Sequence, residues 1–193
     1  MNALMRTISP GATKMIRMDH THVLATFHQF HADTPAPVKR AIANTVCLAL
    51  EIHAQLEEEI FYPAVRAAQG DAAVLDKSVP EHDEMRRLIA RLRELSPDNA
   101  EFDSTINELM RDVIHHVADE ETVMLPDAER LIPDQLSELG ARMTARRFEL
   151  VKPKAGQIAA NMIGAVPVKS MVLIAGLTLL GSFVAKRAFV DRA

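Results

Sequence analysis

The sequence predicts an all-α protein: an up-down-up-down four-helix bundle with a short fifth helix and a C-terminal apolar helical tail. Its composition favours helices, because Ala, Leu, Met, Glu and Arg are abundant whereas Gly occurs seven times in 193 residues. No apolar stretch shows the convincing period-two alternation of a half-buried strand. Long helical stretches separated by short breaks make antiparallel neighbours, and hence a bundle.

Breaks in the helical pattern set the predicted bounds of the five helices. The segment TPAP at 34–37 separates the first two helices, and Gly70 helps to stop the second. Pro80 lies inside the third helix, which either kinks there or starts again after Ser78. The first and second predicted helices span about 12–32 and from the TPAP break to about 69. The other three span about 72–95, 99–125 and 133–151. The bundle domain is thus 12–151, and 152–193 form a basic and apolar tail.

Charge is distributed unevenly along the chain. The formal net charge is −4, yet residues 151–193 contain six Lys or Arg and one Asp, so they carry +5 and residues 1–150 carry −9. An acidic body argues against nucleic acid as a partner. The single Cys47 excludes an intrachain disulfide and suits a reducing compartment. The N-terminal residues lack the apolar stretch of a secretory signal, so we expect a cytoplasmic protein.

An eleven-residue pattern occurs twice in the chain. HAQLEEEIFYP at 53–63 and HVADEETVMLP at 116–126 both read H-x-x-x-E-E-x-x-x-x-P. Each copy follows an acid–His pair, whose His lies 33 residues before the first motif His and 34 before the second. Two helical hairpins related by a pseudo-two-fold axis would place all four histidines around one centre. The upstream pairs are Asp19-His20 and Glu81-His82.

The spacing within the motif suits metal ligation. Residues i and i+4 of an α-helix lie about 40° apart around the axis and about 6 Å along it, so the His and the first Glu of each copy share one face. Such a pair can hold one metal ion, or reach two ions if the carboxylate bridges. Four imidazoles and two carboxylates without a thiolate suit iron, and manganese or zinc less well. The candidate metal ligands are His20, His53, Glu57, His82, His116 and Glu120.

A simpler explanation exists for any single His-x-x-x-Glu pair. Such a pair on a helix is usually solvated, and most histidines in helical proteins bind no metal. The duplication, the shared proline and the matched upstream histidines favour the metal site. The second glutamates, Glu58 and Glu121, are rotated about 100° from the ligand carboxylates, so they are expected to be solvated or to orient an imidazole. Asp19 and Glu81 could orient an imidazole in the same way.

Several polar residues near the motifs are not candidate ligands. His22, His28 and His31 lie off the ligand face or at the bundle end. His115 could exchange roles with His116 but lacks a Glu four residues on. Tyr62 either approaches the site or is a buried hydroxyl bonded elsewhere. The prolines that close the two motifs, Pro63 and Pro126, are expected to kink or end their helices beyond the site.

The pattern DH…HxxxEE…P…EH…HxxxEE…P resembles the hemerythrin-like HHE cation-binding domain of the bacterial type, over about residues 12–150. The resemblance implies a four-helix bundle that holds two non-haem iron ions joined by an oxo or hydroxo bridge. Carried over by position, Glu57 and Glu120 bridge the two irons, and the four histidines complete the ligand set. The implied partner is dioxygen, another small diatomic molecule such as nitric oxide, or peroxide.

Two departures separate this chain from the oxygen-carrying hemerythrins. Those proteins have a second histidine one turn after the third-helix ligand, where this chain has Arg86. Their last motif ends in Asp at a longer spacing, where this chain has Glu120. One imidazole fewer leaves a more open or water-filled coordination position. This difference speaks against reversible oxygen carriage and leaves room for redox chemistry or sensing.

The implied function is binding of iron and then of a small ligand, for oxygen or redox sensing, delivery or detoxification. Three alternatives stay open. The first is a di-iron oxidoreductase with peroxidase-like or nitric-oxide-handling activity. The second is iron storage or regulation without gas chemistry, and the third is a structural membrane-associated bundle.

The C-terminal tail contains an apolar run at 171–185 that is fifteen residues long, whereas a bilayer span needs about twenty. Extending the run back to Val166 reaches that length but includes Pro167 and Lys169. We expect inner-membrane association through 166–187, with Lys186 and Arg187 flanking one end. The alternative is an apolar helix that packs on the bundle or forms a dimer.

Overall fold

The computed structural model describes residues 9–156, 158, 159 and 161, and this part of the chain is helical, as predicted. Within it, seven α-helices follow one another, and short π-helical or 3₁₀ turns join some of them. The α-helices are α1 (Ala12–Phe27), α2 (Ala36–Leu56), α3 (Tyr62–Ala67), α4 (Ala72–Glu94), α5 (Ala100–Asp119), α6 (Leu125–Leu131) and α7 (Leu136–Val151).

Four rods form the bundle. They are α1, α2 continued by α3, α4, and α5 continued by α6. Short connections make successive rods antiparallel neighbours, so α1 packs on α2 and α4 packs on α5. The fifth helix, α7, lies against α1 and α2. The predicted fold class, a helical bundle with a short fifth helix, is therefore confirmed.

A π-helical turn interrupts each rod that carries the duplicated motif. These turns are Glu57–Phe61, between α2 and α3, and Glu120–Met124, between α5 and α6. In each turn the carbonyl of the first residue accepts the backbone N–H of the residue five positions on. The wider turn accommodates Pro63 and Pro126, each of which lacks an N–H and would clash with the preceding turn of a regular α-helix. Both turns therefore begin at a predicted ligand carboxylate.

Some helix ends differ from the predicted bounds. α1 ends at Phe27 and not near residue 32, because residues 28–34 form tight turns. The fourth rod continues past Pro126 and ends at Leu131, since the π-helical turn absorbs the proline. α4 runs through Pro80 without a new start; the residue four positions earlier is exposed, so water can bond the carbonyl that the proline leaves free.

Two clusters of buried apolar side chains fill the bundle. One includes Phe61 and Ile16, and the other includes Phe102 and Val23. In α1 the first cluster ends before residue 20 and the second begins after it, and the other rods likewise pass from one cluster to the other near their motif histidine or upstream histidine. The predicted ligands therefore occupy a layer with a water-excluding core on each side.

A close backbone contact fixes α7 against the start of α1. A Cβ added at Gly140 would lie 2.0 Å from the carbonyl oxygen of Pro10 and 2.9 Å from the backbone nitrogen of Ala12. We expect Gly140→Ala to push these segments apart and to lower the free energy of unfolding by about 1–3 kcal/mol, measured by denaturant titration. Gly156→Ala is the control, because no described atom lies within 4 Å of its added Cβ. Equal unfolding midpoints for the two variants would contradict this packing.

None of the helices in the described part of the chain has both the length and the apolar character of a membrane span. The predicted anchor at 166–187 lies outside the described residues, as does most of the predicted tail domain, 152–193. Membrane association and the dimer alternative therefore stay predictions.

Candidate metal centre

The six predicted ligands come together in one buried layer of the bundle. Both glutamate side chains have no exposed surface, and each histidine is at most 5% exposed. Every rod contributes, so the site depends on the whole bundle. The histidines come from α1 (His20), α2 (His53), α4 (His82) and α5 (His116), and the glutamates, Glu57 and Glu120, are the first residues of the π-helical turns.

The ligand atoms form two overlapping groups, in each of which all the atoms lie within 4.8 Å of one another. The groups are His20, His53, Glu57 and Glu120, and Glu57, His82 and His116. Because Glu57 belongs to both groups, its carboxylate can bridge two metal positions. The imidazole nitrogens face inward: Nε2 of His82 lies 3.1 Å from Nε2 of His116, and Nε2 of His20 lies 3.1 Å from a carboxylate oxygen.

Each imidazole turns its Nδ1 toward a carboxylate outside the ligand layer. An Nδ1–H that donates to a carboxylate leaves the Nε2 lone pair directed at the centre, which is the tautomer that a metal ion requires. The four Nδ1–carboxylate distances are 2.9 Å for His20–Glu121, 3.4 Å for His53–Asp19, 2.8 Å for His82–Glu58 and 2.8 Å for His116–Glu81.

These four outer contacts follow the pseudo-two-fold axis of the repeat. Glu58 and Glu121 each reach across to the upstream histidine of the other half. Asp19 and Glu81 each reach the motif histidine of their own half. The sequence offered solvation as the alternative for Glu58 and Glu121, and the structure places both on imidazoles instead. The outer carboxylates are thus related by the same pseudo-two-fold axis as the candidate ligands.

Tyr62, which the sequence left undecided, points into the centre. Its hydroxyl lies 2.7 Å from Oε1 of Glu120 and 3.1 Å from Oε2 of Glu57, and it can donate its one proton to either. Its ring stacks on His82 with the ring centroids 5.7 Å apart. Burial, together with the charges of both glutamates, raises the pKa of Tyr62 well above its usual value. Leu125 occupies the equivalent position of the second motif, so the phenol breaks the symmetry.

The two inner carboxyls have opposite protonation preferences. Burial and the adjacent charge of Glu120 raise the pKa of Glu57 well above its usual value. Burial alone would also raise the pKa of Glu120, but the charge of His116 and the hydrogen bond from His20 outweigh it and lower that pKa to about 2. The metal-free centre therefore favours a proton on Glu57 and a negative charge on Glu120.

The centre also contains polar atoms that lack partners. Nε2 of His53 and Oε1 of Glu57 are buried without a hydrogen bond from any described residue. Each such atom costs about 1–3 kcal/mol, so clusters of this kind require an additional group. A cation satisfies both atoms and allows both glutamates to be negatively charged. The residues present therefore fit a bound metal, although ligation by these six residues stays a prediction.

Two of the candidate imidazoles are held in the neutral form that binds metal. Burial lowers the pKa of His53 to about 4 and also lowers the pKa of His82. His20 differs: burial opposes its protonation, but its hydrogen bonds to Glu120 and Glu121 outweigh burial and raise its pKa. A metal ion must therefore displace a proton more often at His20 than at His53.

The remaining histidines lie outside the cluster, in agreement with their exclusion as ligands. His115 is exposed, so it does not exchange roles with His116. The other exposed histidines are His22, His28 and His31.

Two small cavities lie next to the His53 side of the centre. One has a volume of about 190 Å³ and the other about 120 Å³, and they share walls formed by His22, Ala49 and Ile52. The smaller cavity is also lined by Asp19, which contacts the candidate ligand His53. The smaller cavity is therefore separated from the candidate centre by the Asp19 side chain.

The fold and the site together define a helical-bundle protein whose buried His and Glu clusters suit metal binding. The family described as the hemerythrin HHE cation binding domain matches residues 11–133. This match covers more than half of the chain, and the chain belongs to this family.

Two relatives extend this comparison. A protein named DNA nickase from Nostoc sp. (strain PCC 7120) is 29% identical over 143 residues, which are 74% of this chain and 39% of that protein. The chain thus spans about two fifths of the length of this relative. The crystal structure of a hemerythrin HHE cation-binding-domain-containing protein from Mycobacterium kansasii aligns with a TM-score of 0.64 and 18% identity, over 80% of this chain and 99% of that one. At this identity the likeness supports the fold alone.

Proposed function

We propose that this chain is a non-haem di-iron protein whose centre binds a small ligand such as dioxygen, nitric oxide or peroxide. The observation that carries the proposal is the pair of ligand groups that share Glu57. Two groups with one common carboxylate suit two neighbouring metal ions, for which a bridging glutamate is the usual arrangement in four-helix bundles.

The chemistry of the donor set supports iron as the metal. Nitrogen and oxygen donors in this ratio suit iron, whereas a thiolate would favour zinc or copper. Cys47 lies in the apolar cluster that contains Phe102, and burial raises the pKa of its thiol to about 12, so it is no thiolate ligand. Bound iron would supply redox chemistry at a site that bulk water does not reach.

The residues of the chain would have three tasks at this centre. The outer carboxylates keep each imidazole in one orientation and one tautomer. The apolar clusters on both sides exclude water. Tyr62 holds a proton on its hydroxyl between Glu57 and Glu120, where it can donate a hydrogen bond to a carboxylate or to a small bound molecule.

The visible spectrum of iron-loaded, reduced protein tests this proposal. We expect an absorption change when oxygen is added. A band that disappears again under argon supports sensing or delivery, whereas decay to a stable oxidised spectrum with turnover of a reductant supports a peroxidase-like or nitric-oxide-handling oxidoreductase. A protein that carries two irons but whose spectrum changes with none of dioxygen, nitric oxide or peroxide would contradict the small-ligand proposal. That result would favour iron storage or regulation.

DNA cleavage is not part of the proposal, although one relative is named a DNA nickase. The matched segment is a minority of that relative, and residues 1–150 of this chain carry a net charge of −9, compared with −4 for the whole chain. Such a surface repels the phosphate backbone of nucleic acid.

A further inference from the structure

The fifth helix contacts the metal centre from outside the part of the chain that matches the family. α7 begins at Leu136, and the family match ends at residue 133. From α7 the guanidinium of Arg147 binds Asp19 as a fork: Nη1 donates to Oδ1 at 2.7 Å, and Nη2 donates to Oδ2. Asp19 in turn contacts Nδ1 of the candidate ligand His53 through Oδ2.

Arginines also bind two other outer carboxylates, but they come from within the bundle. Arg17 of α1 bonds Glu121 at 3.2 Å, and Arg86 of α4 bonds Glu58 at 2.7 Å. Among the described residues, the fourth outer carboxylate, Glu81, has no arginine on it. It is the symmetry counterpart of Asp19, so Arg147 makes the two halves of the centre different.

The geometry explains why this contact matters for His53. A fork of two parallel N–H groups fixes both oxygens of a carboxylate and prevents its rotation. The smaller cavity, of about 120 Å³, is lined by both Asp19 and Arg147, so a carboxylate without the fork has room to turn away. The distance from Asp19 to His53, 3.4 Å, is the longest of the four outer contacts. The Asp19–His53 contact therefore depends more than the other three on a second residue that fixes the carboxylate.

We propose that Arg147 is a positioning residue that holds His53 in its metal-binding orientation through Asp19, and that α7 is thereby a part of the metal centre. This inference rests on the proposed function, because it assigns to Arg147 an effect on the binding of iron. It predicts that α7 and the iron stabilise each other, since each favours the same arrangement of Asp19.

The adjacent residue provides a matched control. Arg146 binds Glu59 through two N–H groups at 2.7 Å and 3.0 Å, and its side chain is 33% exposed, compared with 32% for Arg147. Both arginines therefore tie α7 to the bundle by a fork on a carboxylate. Only the carboxylate bound by Arg147 contacts a candidate ligand.

The test measures the affinity of the full chain for ferrous iron without oxygen, by competition with a coloured chelator. Loss of an outer partner typically lowers metal affinity about 10- to 100-fold, and Arg147 acts one step further out, so we expect about a tenfold loss for Arg147→Ala. Arg146→Ala should leave the affinity unchanged, while both variants lose similar thermal stability without metal. Arg147→Lys should recover part of the affinity, because it restores the charge but not the fork.

A double variant shows whether Arg147 acts through Asp19. If it does, Arg147→Ala combined with Asp19→Asn should bind iron no more weakly than Asp19→Asn alone. Equal affinities for Arg147→Ala and Arg146→Ala, or additive losses in the double variant, would overturn the inference while wild-type protein still binds two irons. A wild-type protein that binds no iron would overturn the proposed function, and this inference with it.

Discussion

Glu57→Ala should reduce the bound iron from two ions per chain to fewer than one. Glu57 belongs to both ligand groups, so its loss removes a donor from both metal positions at once. The carboxylate is fully buried, and among the described residues Glu57 is the one member that the two groups share. Outer-partner substitutions cost about 10- to 100-fold in metal affinity, and loss of a shared ligand should exceed that range. Iron content after gel filtration, measured by a colorimetric assay, provides the readout.

The two residues that follow Glu57 provide a graded set of controls. Glu58 contacts the imidazole of His82, so Glu58→Ala should weaken iron binding about 10- to 100-fold without abolishing it. Glu59 contacts Gln55 and Arg146 at the surface, so Glu59→Ala should retain two irons. Equal iron content in all three variants would show that the centre does not bind iron as assigned.

Iron loading should raise the midpoint of thermal unfolding by about 8–16 °C. A ligand that binds only the folded state at about a thousand times its dissociation constant stabilises by about 4 kcal/mol, and each kcal/mol shifts the midpoint of a chain of this size by about 2–4 °C. Removal of the iron with a chelator should reverse the shift. Differential scanning calorimetry of the same sample before and after chelation measures it.

Glu57→Gln should make the metal-free protein at least as stable as metal-free wild type, but the iron-loaded protein less stable than iron-loaded wild type. Without metal, Glu57 favours its protonated form beside the charged Glu120, and Gln is a neutral side chain of nearly the same shape, so the replacement should cost little stability. We therefore expect the metal-free variant to unfold at or above the wild-type midpoint and to gain little from iron. A metal-free variant that is much less stable than wild type would mean that the carboxyl pair is structural and not built for a cation.

Periodicity and repetition explain why much of this centre could be predicted from the sequence. A His and a Glu four residues apart share a helix face whatever their surroundings, and the duplication indicated that two such faces meet. The upstream histidines followed from the same repeat. For these reasons the six candidate ligands converge as expected, and Asp19 and Glu81, offered as orienting acids, contact imidazoles.

The missed features depend on tertiary structure. A regular α-helix was assumed through Glu57 and Glu120, whereas both residues begin π-helical turns that accommodate the prolines at 63 and 126. The repeated proline was the available signal. The sequence left open whether Tyr62 approaches the site, because its direction depends on this widened turn, which it directly follows.

The contact of Arg147 with Asp19 had no such signal. The two residues are 128 positions apart and belong to no repeat, so only the packing of α7 on α1 brings them together. Long-range pairs of this kind depend on how helices dock and not on the pattern of either helix.

Anomalous diffraction at the iron edge, from crystals of the iron-loaded protein, tests the central claim most directly. The account predicts two peaks about 3.5–4 Å apart, on either side of the Glu57 carboxylate, with the Nε2 atoms of the four histidines around them. A single peak, peaks on the acidic surface, or an iron-loaded crystal without a peak in the buried layer would contradict it.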